Sequence, residues 1–182
     1  MMKRYLLILP LIIFLFTGCG DTLSTSTKDE SASVTADFLA GTWTAECVDN
    51  TTASTSTKTV LVFSAAADNL SSTSTNYSDL NCVTQNYVIT KTLSTLSLGT
   101  KSTTVQYQIM TKFTAVVSSI TLEPKTSSAA TSLNSTPYCG ITGWSSGAQT
   151  SIAGLTCGSI SYKAQNAVYS DLIQLNSEKT FI

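Results

Sequence analysis

The chain has 182 residues, with ten basic and eleven acidic side chains, no histidine and a formal net charge of −1. Without histidine there is no Ser-His-Asp or Cys-His pair, and the commonest metal ligand is absent. Arg4 is the only arginine, so the chain beyond it lacks the bidentate fork used on phosphates and bases, and its acidic balance gives no footprint for nucleic acid.

Taken in chain order, the sequence opens on a three-part leader. Lys3 and Arg4 supply a positive start, Tyr5 to Phe16 is apolar, and Thr17-Gly18-Cys19-Gly20 follows. These are the parts of a signal peptide. As a helix the apolar stretch spans only about 18 Å, against a bilayer core of about 30 Å, and Pro10 interrupts it. It is too short to stay as a transmembrane anchor. Thr17, Gly18 and Cys19 resemble the lipobox of bacterial lipoproteins, with Phe16 where leucine is usual. The resemblance implies cleavage before Cys19, lipidation of Cys19 with diacylglycerol, and acylation (palmitate or a similar chain) of the new amino group. Gly20 after the cysteine, with Asp21 one place later, favours the outer membrane over inner-membrane retention. The expected location is the bacterial cell envelope, lipid-anchored, with periplasmic or surface orientation left open.

Residues 1–18 are thus read as signal peptide, 19–37 as a lipidated Ser/Thr-rich tether and 38–182 as one domain. The tether offers almost nothing to bury, and its flexible reach is roughly 20–25 Å. From Cys19 onward there are eight lysines and no arginine. Ser and Thr make up roughly a third of the chain, well above ordinary usage. Threonine suits the wet face of strands.

Strand-like runs begin at Gly41–Cys47 and continue at Thr59–Ala65, with a Ser/Thr-rich turn at Asn50–Thr57 between them. A further strand ends at Asn76–Asp79, and another runs from Gln85 to Leu96. From Val105 to Val117 the residues Val105, Tyr107, Ile109, Phe113, Ala115 and Val117 share one parity, and at Ile120 and Leu122 the apolar positions become even. Period-two alternation predicts half-buried strand. The parity switch near Val116-Val117-Ser118 predicts a bulge or bend, and a tight turn near Met110–Lys112 is the alternative for so long a run. Pro124 to Tyr138 reads as loop with a short helix around Ala129-Ala130. Tyr138 to Gly158 holds Trp144, two cysteines and five glycines, and reads as an irregular excursion. Strand character returns at Ser159–Ala164 and Ala167–Leu175, then a turn at Asn176–Lys179 and a last strand at Thr180–Ile182.

Apart from Cys19 there are four cysteines. An even number in an exported chain reads as two disulfides, with three connectivities; sequence neighbourhood favours Cys47–Cys82 and Cys139–Cys157. A metal site is the weaker reading, since no Cys-x-x-Cys pair exists. The fold class expected is all-β: an antiparallel up-and-down barrel of about eight strands with a disulfide-stapled loop, or alternatively a β-sandwich.

Gly41-Thr42-Trp43 opening such a string of strands resembles the calycin and lipocalin superfamily. Gly41, Trp43, Cys47, Tyr77, Asp79 and Cys82 together resemble the lipocalin-like domain of the adenomatosis polyposis coli down-regulated proteins. The resemblance covers about the first half of the domain. It implies that Trp43 packs across the closed end of a barrel against a basic residue of the last strand. Lys163 or Lys179 would have to take that part. Asp79 is read as a turn cap beside Cys82.

The function expected is a membrane-anchored envelope lipoprotein that binds a small apolar or amphiphilic ligand, with Phe63, Tyr87, Tyr107, Ile109 and Phe113 as lining residues. The alternative is a structural or interaction lipoprotein without a ligand cavity, contacting an envelope protein through the stapled loop and Trp144. Catalysis through carboxylates or a Ser-Lys pair is a distant third, with no constellation to suggest it. The partners expected are therefore the membrane, through the N-terminal lipid, and a small hydrophobic ligand or envelope protein. No nucleic acid, cofactor or metal is expected.

Overall fold

The computed structural model describes residues 4–6, 34–103 and 109–174. Cys19, most of the tether, Tyr107, Lys179, the turn at 176–179 and the last expected strand lie outside the described residues. Chain order gives β1 (Arg4–Leu6), α1 (Ala36–Leu39), β2 (Gly41–Ala45), β3 (Val48–Asn50), β4 (Thr55–Phe63), β5 (Leu70–Tyr77), β6 (Gln85–Thr103) and β7 (Ile109–Pro124). Then come α2 (Ser127–Ser135), a 3-10 turn (Tyr138–Gly140), β8 (Thr150–Ser151), β9 (Thr156–Cys157), β10 (Ile160–Ser161) and β11 (Val168–Gln174).

The main sheet runs β1-β2-β4-β5-β6-β7-β11, with β3 beside β4 and β8 beside β7; β9 and β10 form a separate pair. Every pairing is antiparallel except β1 with β2, where Arg4 stands opposite Trp43. Leaving β1 aside, the domain contributes eight strands to this sheet, as the alternation and turn signals predict.

The expected closure into a barrel is not found. Among the described residues, β11 pairs only with β7, and no pairing joins it to β2, so the sheet is open and compatible with the sandwich alternative. The segment between β7 and β11 returns to the edge of β7, where Ile152 N–H donates to the Ile120 carbonyl at 2.9 Å and β8 pairs with Thr121 and Leu122. Trp144, Ile152 and Cys157 of that segment are buried in the core, so its own side chains cover apolar surface that a closed barrel would enclose.

Cross-strand register fixes which residues share that inner face. Phe63, Leu70, Leu93 and Val117 stand opposite one another across β4, β5, β6 and β7. The next rows are Leu61–Ser72–Lys91–Ile120, Thr59–Ser74–Ile89–Leu122 and Thr57–Asn76–Tyr87–Pro124. Phe63, Leu93, Val117, Ile120 and Leu122 are buried with Trp43 and Leu39, each side chain contributing about 1.5–3 kcal/mol when fully buried. The predicted bulge is present at Ser118: Thr92 pairs with Ser119 but Leu93 with Val117, so one residue of β7 is left over. That extra residue carries the buried set from odd to even positions. The alternative turn at Met110–Lys112 is not formed, because β7 is continuous from Ile109.

Other boundaries differ from expectation. The Asn50–Thr57 turn is narrower, since β3 occupies Val48–Asn50 and β4 begins at Thr55. The strand expected at Ser159–Ala164 shrinks to Ile160–Ser161. At the N-terminal end of the domain, Val34 is buried and Thr35 caps α1 by accepting from Phe38 N–H, so the last tether residues belong to the core.

Candidate functional site

Two disulfides organise the ends of the sheet. Cys47–Cys82 ties the segment after β2 to the β5–β6 connection, and Cys139–Cys157 ties the 3-10 turn to β9. Beside the first, Asp79 acts as the expected turn cap. Its carboxylate accepts N–H groups from Asn81 (3.1 Å), Val83 (3.0 Å) and Thr84 (2.6 Å). These bonds, that from Val83 foremost, hold its carboxyl down at about 2. Cys82 takes a left-handed backbone, φ 53°, to close this turn. Buried Ser56 completes it, donating to the Asp79 carbonyl at 2.7 Å and accepting from Cys82 N–H at 3.0 Å. Ser56 gave no sign of this in the sequence, where it sits in a run of like residues.

Trp43 is buried, packs on Phe38 at 5.5 Å between ring centroids, and donates its indole N–H to the Leu39 carbonyl at 2.8 Å. It is a core residue. Lys163, the basic partner considered for it, lies exposed in the excursion between β7 and β11. Tyr77 is buried near the Asp79 turn, opposite Ser56 on β4, and Gly41 opens β2 at φ 123°.

The expected lining residues separate. Phe63 and Phe113 are 4% and 6% exposed, part of the packed core. Ile109 begins β7, with its side chain outside the described set. Tyr87 alone stands half-buried at the surface of the inner face. Around it the structure gathers residues that sequence reasoning did not group.

Along β6, Tyr87, Ile89, Lys91 and Leu93 alternate onto the inner face, and the first three are half-buried. Tyr138 from the 3-10 turn and Tyr162 after β10 stand near Tyr87. Burial first, then the neighbouring phenols of Tyr138 and Tyr162, push the Tyr87 hydroxyl up to about 12. Burial also raises Tyr138 and Tyr162. On β11, Tyr169 stacks against Phe113 at 6.0 Å and lies under the Lys91 ammonium, which is 4.5 Å from its ring centroid. The Tyr169 hydroxyl donates to Asp171 Oδ2 at 2.8 Å; burial and then that carboxylate raise it to about 12. Burial lowers the Lys91 ammonium, and the charge of Asp171 opposes the shift.

Tyr87, Ile89, Tyr138, Tyr162 and Tyr169 are thus half-buried against the core, with Lys91 over Tyr169 and with Ser72 and Ser74 of β5 on the face of Lys91 and Ile89. Half-exposed aromatic bodies with polar tips suit a ligand that is partly apolar. No protein-family model matches the chain, and no curated protein is significantly similar to it. Among the described residues there is no cluster of metal-ligating side chains, and no helix is long and apolar enough to cross a membrane.

The loop that delivers Tyr138 is firmly built. Asn134 at the end of α2 accepts from Gly143 and Trp144 N–H at 2.9 and 2.8 Å and donates to the Trp144 carbonyl at 2.9 Å. Trp144 is 4% exposed and packs in the core. A usable sequence signal did exist for Lys91: it shares parity with Tyr87, Ile89 and Leu93. Nothing local tied Tyr162 or Tyr169 to them.

Proposed function

We propose that this chain is an envelope lipoprotein, anchored through Cys19, whose domain binds a small amphiphilic molecule on the tyrosine-lined inner face of its open sheet. The observation that carries the binding reading is one group of side chains. Leu61, Tyr87, Ile89, Tyr138, Tyr162 and Tyr169 pack against the core yet stay partly open to solvent. The anchoring reading rests on the leader and on Thr17-Gly18-Cys19. The kinship proposed with lipocalin-like domains rests on Gly41, Trp43, Cys47, Tyr77, Asp79 and Cys82.

Two measurements test the two parts. Metabolic palmitate labelling of the chain is expected to disappear in Cys19→Ser; retained labelling removes the anchor. For the site, titration of the full Cys19→Ser chain with 1-dodecanol is expected to show saturable binding. Tyr87→Ala weakens it roughly tenfold, the scale of one lost aromatic contact. Equal binding by wild type and Tyr87→Ala would place the ligand elsewhere.

A further inference from the structure

We infer that the mature chain associates with further copies of itself edge to edge, β11 of one copy adding to β2 of the next, and that the leader covers the β2 edge until it is cut away. The inference rests on the proposed cleavage ahead of Cys19 and goes beyond it by naming a surface, its partner and the event that opens it.

The main sheet ends on two different strands. At one end, β11 pairs with β7 alone among the described residues. At the other, β2 pairs with β4 on one side and with β1 on the far side, where Arg4 stands opposite Trp43, Tyr5 opposite Thr44 and Leu6 opposite Ala45. Those three partners belong to the leader. Cutting the chain ahead of Cys19 therefore takes β1 away and leaves β2 as the terminal strand. A terminal strand presents a row of backbone N–H and C=O groups on which another chain can pair. The seat taken by β1 marks this edge as one that accepts a strand.

Three features select a second copy as the occupant. The first is strand direction. Each strand in the path β2-β4-β5-β6-β7-β11 is antiparallel to the next, so β2 and β11 run in opposite directions. A copy that continues the sheet sets its β2 antiparallel to β11, the more stable kind of pair. The second is the match of faces. On the outer face Thr42 stands opposite exposed Val62 beside one edge, while Val168 and Leu172 stand opposite Val116 and Lys112 beside the other. Val168 is 64% and Leu172 50% exposed, and strand addition takes part of that apolar surface out of water. The third is the want of devices that keep edges apart. Gly41-Thr42-Trp43-Thr44-Ala45 has no lysine, proline or charge, and the one charge of β11, Asp171, holds the Tyr169 hydroxyl at 2.8 Å. Because the contact joins two different edges, it is head-to-tail and leaves an edge at each end for a further copy.

The test is sedimentation velocity of the purified mature lipoprotein in dodecyl maltoside, with its N-terminus read by mass spectrometry. Cleaved wild type is expected to form species larger than the monomer, whose share grows with protein concentration at fixed micelle concentration. The double variant Val168→Lys, Leu172→Lys is expected to weaken association about tenfold or more, the scale of one apolar side chain kept in water. Val83→Lys, at an exposed apolar position in the β5–β6 connection, leaves association unchanged and carries the same lipid. The uncut full chain with Cys19→Ser, which keeps β1, is expected to stay monomeric. Circular dichroism confirms that the variants are folded. A cleaved chain that stays monomeric, or association that survives the paired lysines, overturns the inference and leaves the anchor standing. Equal association of the uncut chain overturns the covering role of the leader. A wild-type chain that still carries residues 1–18 overturns the anchor reading and this inference together.

Discussion

Asp79 shows how one side chain can hold a turn by geometry. Three backbone N–H groups converge on its carboxylate, and its own carbonyl is held by Ser56. Because those donors favour the ionised form, its folded pKa of about 2 lies below the ordinary 3.8. The stability it contributes is therefore fully present above about pH 4 and is lost as pH falls through 4 toward 2. Asp79→Asn is expected to lower the melting temperature at neutral pH, with the gap to wild type closing over that acidic window. A gap that stays constant down to pH 2 would show that the carboxylate charge is irrelevant. At this scale the sequence was informative: Asp79 beside Cys82 already suggested an Asx-type cap. Ser56 was not legible, because one hydroxyl in a Ser/Thr-rich run looks like any other until the turn closes on it.

Among the elements, β7 makes the clearest statement. Its sixteen residues bury odd positions up to Val117 and even positions from Ile120, and the single unpaired residue, Ser118, reconciles the two. Deleting Ser118 would turn either Ile120 and Leu122 or Ala115 and Val117 away from the core. Losing two such side chains costs about 4 kcal/mol or more, enough to unfold many domains. Ser118→Ala, which removes only the bond between its hydroxyl and that of Ser94, is expected to cost about 1 kcal/mol. Denaturant titration separates the two, and a deletion variant as stable as wild type would refute the bulge. Parity made this bulge readable because the apolar residues are large and strictly alternating. The full length of β6 was not readable: its second half, Ser94 to Thr103, meets β7 through two further register shifts that blur the pattern. Barrel closure failed as an expectation for a related reason. Strand count and spacing are the same for open and closed sheets, and only the placement of the loop after β7 decides between them.

For the molecule as a whole, the four tyrosines arrive from three distant parts of the chain, which is why no local pattern grouped them. Tyr87 and Lys91 come with β6, Tyr169 with β11, and Tyr138 and Tyr162 with the excursion bound by Cys139–Cys157. The sheet and the excursion make separable contributions. Cys157→Ser is expected to keep the strand signal in circular dichroism while weakening dodecanol binding, since Tyr138 adjoins the bridged Cys139. Undiminished binding by this variant would show that the bond does not shape the site. The same arrangement has a consequence for where the protein can work. In a reducing medium the bridges Cys47–Cys82 and Cys139–Cys157 would open, and the excursion that carries Tyr138 and Tyr162 would lose its covalent tie to β9 while the hydrogen-bonded sheet kept its own. On the proposed reading as an exported lipoprotein, that makes oxidation the step that completes the proposed face.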